Sequence, residues 1–419
     1  MARLKVPRWL KYREGENERS PVYFLDIRGQ GLDLDDGAVR DRINRSLKEM
    51  LHALDIRRVE GPAVVKCHIG EAKCDTRMVP EFALSTVDFL RDKGVTRVVA
   101  GDTTTVYSGP RGHRQNPPAD ASKYMELARA HGWHHGEGLG LPFVVLDRPA
   151  TSVPGVFEFD EEEVVVSRVG KYREVYVAGG IAAAPTIVSH SHLTLHQLTH
   201  FAMAVKTLTM GGGSVRGKLL LHKLLQPRID EEACTRCGKC AKSCPEQALV
   251  WAKGDVPTLI VERCIGCGEC ASICKLQADC IEIVTIHTDD WVWGEAAIPY
   301  RLVDFLMAEM NGRWNGLINV AHLYRITQLC DCVDVVQRPI VSDIGFLVGR
   351  NPFAVDYLAR ELFNAQVQAD RGEGARSGEP ANMVATFYGG DEGMASFTYA
   401  RATYGVVVEP QVERVALAP

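Results

Sequence analysis

Eight cysteines stand in two runs of the same spacing: Cys234, Cys237, Cys240 and Cys244 in CTRCGKCAKSC, then Cys264, Cys267, Cys270 and Cys274 in CIGCGECASIC. Two-residue spacers let successive sulfurs converge from one tight loop, as three of the four thiolates around a cubane iron–sulfur cluster must; the fourth comes from elsewhere. Paired zinc sites are the competing reading, but two four-cysteine runs in tandem are hard to explain by zinc. Thiolates that ligate iron must stay reduced until the metal arrives. The spacing therefore points to two [4Fe–4S] clusters in a cytoplasmic protein rather than to a disulfide framework.

Five of the thirteen cysteines lie outside these runs: Cys67, Cys74, Cys280, Cys330 and Cys332. They read either as small buried apolar side chains or, for Cys330 and Cys332 of QLCDCVD joined to Cys67 and Cys74, as ligands of a third metal. Asp102 closes the apolar run TRVVAGD, the position where open α/β sheets bind ligands, and Thr103, Thr105, Tyr107 and Arg111 follow it. Asp102 could equally cap a turn. Arg111 offers a fork for carboxylate or phosphate. His68 and Glu71 end a neighbouring strand, and Asp343 ends PIVSD in the same way, so the three strand ends are expected to share one polar mouth. GGSVRGKL carries Gly212, Gly217 and Lys218 at P-loop spacing, but Leu219 replaces the Mg-binding hydroxyl residue. It reads as an anion cradle of backbone N–H groups with Arg216 and Lys218, or as a plain turn. His192, His196 and His200 recur every four residues, which on a helix capped by Ser191 would stack them on one face; a proton relay, a metal, or a role for His196 alone are the options.

The elements that must position these groups follow an α/β pattern. VYFLDI, PAVVKCHI, TRVVAGD and LPFVVLD read as short strands, with VPEFALSTVDFLRDKG and SKYMELARAHG as helices ending at glycine. Strand, helix and strand within about forty residues is the βαβ unit of a mainly parallel sheet. EEEVVVSRV and EVYVAG read as paired strands, PTIVSHSH as a strand, and residues 191–210 as a helix. After the cysteine runs the pattern resumes with the helix PYRLVDFLMAEMNG, the strands GLINVAHL and PIVSDIGFLVG, and the helix PFAVDYLARELFNAQ. ADRGEGARSGEPAN reads as a loop, and the last thirty residues fit no pattern. The expected organisation is an N-terminal arm over 1–20, an α/β domain over 21–228, a small α+β insertion over 229–288, and the rest of the α/β domain over 289–419. An inserted segment returns the chain near where it left, which places the clusters against a fixed part of the host.

At 46% hydrophobic and 24% charged residues the 419-residue chain can bury a large core, and a net charge of −5 gives no basic field for nucleic acid. The basic run Arg216–Lys223 reads as a solvated face. Apolar runs are too short to span a membrane, and MARLKVPRWLKYREGENE lacks the apolar stretch of a secretory signal. No Gly-x-Gly-x-x-Gly follows a strand, so no nicotinamide or Rossmann flavin site is expected.

The cysteine segment resembles bacterial two-cluster ferredoxins, down to Pro245 after the first run, with Lys275 in place of the second proline. That resemblance implies that each run's last cysteine serves the other cluster: Cys234, Cys237, Cys240 and Cys274 for one, Cys264, Cys267, Cys270 and Cys244 for the other. The chain as a whole, from about residue 22 to 412, resembles the proteins of domain of unknown function 362 that carry such an insertion. VVKCHIGE, GDTTTVYSGPR, HQLTHFAMAVKTLTMG, GKLLLH, CDC, VSDIGFL and NPFAVD stand in family order. A more distant likeness to the N-terminal half of nickel-dependent lactate racemases serves as a fold hint only. The chain departs from the family at Thr194, where a lysine is usual, at His200, Ala202 and Met203, where glycines are usual, and at Thr207, where an asparagine is common. Its ligand is thus free to differ from that of ordinary members.

These residues make the expected function an iron–sulfur redox protein. Its clusters would relay electrons from an external donor, a ferredoxin, flavodoxin or reductase, to a small anionic substrate. His68, Glu71, Asp102, His196 and Lys206 would act catalytically, with Thr103, Tyr107, Arg111, Lys218 and Asp343 binding the substrate. The alternatives are a sulfur-transfer or assembly factor working through a cluster or a free thiol such as Cys67 or Cys330, and an electron carrier with a docking domain.

Overall fold

The computed structural model describes Leu10 and residues 20–54, 56, 59–134, 137–166, 170–286, 297–372, 384–388 and 392–419. Most of the N-terminal arm, the boundary at 288/289 and most of the ADRGEGARSGEPAN loop lie outside the described residues. The centre is one eight-stranded sheet. Its strands in chain order are β1 (Pro21–Asp26), β2 (Ala63–Lys66), β3 (Val98–Asp102), β4 (Phe143–Val145), β5 (Thr186–His192), β6 (Leu317–Leu323), β7 (Gly345–Gly349) and β8 (Gln411–Val415). In space they run β8-β1-β7-β6-β5-β2-β3-β4, and every neighbouring pair is parallel except those made by β7. The fold is thus mixed α/β with a mainly parallel sheet and flanking helices. The unassigned C-terminal stretch supplies the edge strand β8 alongside β1.

Alternation along β2 sorts its side chains between two cores. Val65 and Cys67 enter the core that also holds Phe82, Phe89 and Tyr124, while Val64 enters the one built on Phe305, Leu306 and Trp314. Lys66 therefore shares a face with Val64, and at the strand's end that face becomes polar. Cys67 is a core residue, with its thiol 3.4 Å from the Gly101 carbonyl.

Residues 191–210 do not form one helix. β5 runs through His192, Thr194–His196 pairs antiparallel with His200–Ala202, and only Ala204–Thr209 is helical. The four-residue histidine spacing masks a period of two: Leu193 and Leu195 both point into a third apolar core. The three histidines part company as a result. His192 pairs with Asp331, His196 turns toward the cavity described below, and His200, with a left-handed φ of 57°, stacks on Tyr388. Ser191 is a strand residue, not a cap. PIVSDIGFLVG is also shorter as a strand than its pattern suggests, since pairing begins at Gly345.

The cysteine segment leaves and rejoins the host through one antiparallel pair, Leu225–Ile229 with Ile281–Thr285. Between them lie the helices Lys239–Ser243 and Glu269–Lys275 and a short hairpin, Leu249–Val250 with Thr258–Leu259. No helix among the described residues is long and apolar enough to cross a membrane.

The helix Pro352–Asp370 starts at a buried Asn351, whose Oδ1 accepts from the N–H groups of Phe353 and Ala354 and whose Nδ2 donates to Val407 O at 2.7 Å. Asn351→Ala removes the cap and orphans that carbonyl, so urea denaturation should show a loss of about 2 kcal/mol, with Asn351→Asp recovering the cap share.

Candidate functional site

A cavity of about 580 Å³ opens at the C-terminal ends of β2 and β3, the side on which parallel sheets hold ligands. His68 and Lys66 reach it from β2, and Asp102, Thr103, Thr105, Tyr107 and Arg111 from β3 and its loop. His196, Lys206, Lys218, His222 and Cys332 close it from the far side. Of the residues singled out by sequence, His68, Asp102, Thr103, Tyr107, Arg111, His196, Lys206 and Lys218 meet here. Asp343 does not: it precedes β7, which β6 and β5 separate from β2, and there it accepts the Arg325 N–H at 2.7 Å. Glu71 is also off the wall, buried behind Arg111 at 3.7 Å.

Asp102 organises one end. Its Oδ1 takes Lys66 Nζ and its own neighbour's N–H, from Thr103, each at 2.8 Å; its Oδ2 takes Arg111 and the Tyr124 hydroxyl, each at 2.8 Å. Burial alone would raise its pKa, but the charges of Lys66 and Arg111 hold it far below the carboxylate range. Saturated and permanently ionised, Asp102 anchors the cations; it has no proton to give. Burial and the adjacent Arg111 keep His68 neutral, its Nε2 3.1 Å from the guanidinium. Arg111 spends its donors on Asp102, Tyr124 and His68. No partner among the described residues hydrogen-bonds the Glu71 oxygens, and burial raises this carboxyl to about 8. Despite the short distance to Arg111, Glu71 is a buried acid that keeps its proton.

Lys218 projects from the helix Val215–His222, which Ser214 caps by accepting the Gly217 N–H. Its ammonium reaches the Thr103 hydroxyl at 3.1 Å, and burial lowers it to about 8, so it can exchange a proton near neutral pH. The GGGSVRGK stretch thus delivers a lysine to the cavity. The remaining wall was hidden in the sequence. Lys66 could have been noticed as a charge ending an apolar strand, and His222 as the i+4 neighbour of Lys218.

The pair Cys330 and Cys332 has different partners from those its sequence suggested. Cys67 is in the core, and Cys74 donates its thiol to Asp331 at 3.2 Å. Cys330 instead lies 2.9 Å from Lys206 Nζ and 2.6 Å, sulfur to sulfur, from Cys332. His196, Cys330 and Cys332 bring their ligand atoms within 4.8 Å of one another. Burial opposes ionisation of Cys330, but the Cys332 thiol and Lys206 hold it below its ordinary value, while burial and the neighbouring sulfur push Cys332 up.

The two cysteine runs line two further cavities, of about 330 and 370 Å³. Cys234, Cys237, Cys240 and Cys274 surround the first, together with Cys280. Cys244, Cys264, Cys267 and Cys270 surround the second. The fourth cysteine of each run therefore stands with the other run's first three. In both runs a glycine with left-handed φ, Gly238 at 68° and Gly268 at 80°, directly precedes the helix that carries the third cysteine; the fourth lies within the second helix and just past the end of the first. The segment is gripped by the same loop that lines the main cavity: the Ser108 N–H donates to Glu269 at 3.0 Å, its hydroxyl to Ser243 O at 3.2 Å, and Arg114 pairs with Glu246. Cys267 shares a buried cluster with Tyr107, Cys330 and Cys332.

Residues 63–361 match the family model described as Domain of unknown function (DUF362), so the chain belongs to that family. A comparison with curated proteins found no match.

The raised Glu71 carboxyl has a pH signature. Its folded value of about 8 exceeds its ordinary 4.5, so its contribution to stability is full at low pH and is lost as pH rises through that window. Denaturation of the parent against Glu71→Gln from pH 5 to 8 should show the parent losing ground, at up to about 1.4 kcal/mol per pH unit, the slope of one proton.

Proposed function

We propose that this member of the family is an iron–sulfur redox protein whose ferredoxin-like segment passes electrons from an external carrier to a small anion held in the host cavity. The observation that carries this reading is the buried cluster in which Cys267 packs with Tyr107, Cys330 and Cys332. A cysteine of the second run and residues of the cavity wall are thereby parts of one buried cluster. The partition of the eight run cysteines into two cavities of four supports the fit of two cubanes, held by Cys234, Cys237, Cys240 and Cys274 and by Cys264, Cys267, Cys270 and Cys244. Bound there, the clusters supply one-electron transfer.

The chain's own residues select and protonate the ligand. Four cationic side chains, Lys66, Arg111, Lys206 and Lys218, line the cavity against the single carboxylate of Asp102, and buried His68 and His196 stay neutral. This excess of positive charge on buried side chains favours an anion. Asp102 consumes much of the charge of Lys66 and Arg111, which leaves Lys218 and Lys206, the latter shared with the Cys330 sulfur, as the remaining anchors. Lys218, lowered to about 8, is the candidate proton donor.

A second reading, sulfur transfer through a free thiol, is favoured by the depressed Cys330 and not by Cys67, whose burial raises it. Sulfane sulfur retained on the Cys330 peptide after incubation with a persulfide donor would support it over electron relay.

Anaerobically purified protein should hold about eight irons per chain, with the electron paramagnetic resonance of reduced cubanes after dithionite. About four irons, or zinc in their place, would sink the two-cluster assignment. Lys206→Met should weaken binding of the preferred member of a panel of phosphate, sulfite and small carboxylates by about 1.5–3 kcal/mol in calorimetry, at unchanged iron content. Parent-like binding of the whole panel would remove Lys206 from the site.

A further inference from the structure

We propose that Cys330 and Cys332 are a redox-active pair that closes to a disulfide on oxidation and, when reduced, presents a Cys330 thiolate at the cavity wall. The inference rests on the electron-relay reading for its physiological reductant and deepens it by naming the group that would gather electrons beside the substrate.

Three donors converge on Cys330 Sγ: the ammonium of Lys206 at 2.9 Å, the thiol of Cys332 at 2.6 Å and the backbone N–H of Cys332 at 3.3 Å. That is the environment of a stabilised thiolate, not of a structural cysteine. The residue between the two, Asp331, is held away from the cavity. Its carboxylate takes His192 Nδ1 at 2.6 Å and the Cys74 thiol, and its carbonyl takes the Glu71 N–H at 2.9 Å. With Asp331 pinned on one side, its two neighbours are kept together on the other. Leu329 and Val333 pack in the same buried cluster as the pair.

The chemistry balances with a one-electron donor of the iron–sulfur class. Two electrons and one proton open the disulfide to the Cys330 thiolate and the Cys332 thiol. Re-forming the sulfur–sulfur bond gives the two electrons and the Cys332 proton to a bound two-electron acceptor. Two single-electron carriers would thus feed a two-electron step without releasing a half-reduced substrate. The same sulfurs and His196 could instead hold a metal ion with three protein ligands. That arrangement must displace the Lys206 ammonium from Cys330 and compete with the Leu198 N–H, which His196 Nδ1 accepts at 3.1 Å, so the redox pair is the better fit.

The test uses the full-length protein, purified anaerobically, with iron and zinc measured on the same sample. Aliquots equilibrated in mixtures of reduced and oxidised dithiothreitol are acid-quenched, alkylated and digested, and the peptide containing Cys330 and Cys332 is quantified by mass. The expected result is a single two-electron transition between a doubly labelled peptide and an unlabelled internal disulfide. Cys332→Ala should abolish the transition, and Lys206→Met should slow alkylation of Cys330 at pH 7 about tenfold. Full labelling in every mixture overturns the proposal, as does stoichiometric zinc that protects the pair and is lost in His196→Ala. The two readings fail separately. A transition in iron-free protein would keep the pair and remove the cluster relay, whereas about eight irons without a transition would keep the relay and remove the pair.

Discussion

One buried carboxylate holds the site together. Asp102 ends β3 with Lys66 from the adjacent strand on one oxygen and Arg111 and Tyr124 on the other, all shielded from water. An isolated charge at such depth would be expelled or neutralised. Here two cations and three further donors, the N–H groups of Ile69 and Thr103 and the Tyr124 hydroxyl, satisfy it, and removing a charged partner of such a buried pair costs about 3–5 kcal/mol. Because Lys66 belongs to β2, Arg111 to the following loop and Tyr124 to the helix Ser122–Ala130, the network fixes strand end, loop and helix relative to one another. Positioning of Thr103, Tyr107 and His68 follows from that.

The same loop is what the cysteine segment rests on. Ser108 and Arg114 bind it, while Thr103, Tyr107 and Arg111 face the cavity. The segment also packs closely at its glycines: a Cβ on Gly266 would come within 2.7 Å of the His222 and Leu225 carbonyls, and one on Gly268 within 3.1 Å of Leu198. A segment seated this way meets the rest of the chain at a defined distance, whereas one on a free tether would not. Tyr107 lies where the two parts join, its hydroxyl pushed up by burial with the sulfurs of Cys332 and Cys267 nearby.

His192 and Asp331 perform a parallel task on the opposite wall. Burial opposes a charged imidazole, yet the Asp331 carboxylate raises His192 above its usual value. The resulting ion pair fastens the Cys330–Cys332 turn to the end of β5. A histidine that looked like one of three equivalent members of a helical stripe is therefore a brace for the thiols, and His196, four residues on, faces the cavity that they border.

The sequence by itself determined the periodic and the local. Alternation and glycine stops were enough for the α/β architecture, because strands buried on both faces and helices against them leave unmistakable apolar runs, such as PAVVKCHI and PFAVDYLARELFNAQ. Motif spacing marked the eight run cysteines and Lys218, the end of an apolar strand marked Asp102 and the loop to Arg111, and the family resemblance marked Lys206. Tertiary structure decided which groups meet. Cys330 and Cys332 were separated from Cys67 by strand alternation, which sends Cys67 into the core. Asp343 was lost to the site because β6 and β5 stand between β7 and β2 in the sheet, an order no local pattern encodes. The histidine stripe dissolved because a period of two in Leu193 and Leu195 outweighed a period of four in three polar residues: burial of two leucines against the sheet stabilises a strand more than helical stacking of histidines stabilises a helix. Lys66 escaped notice for the related reason that its ion-pair partner, 36 residues away at the end of the neighbouring strand, exists only once β2 and β3 pair.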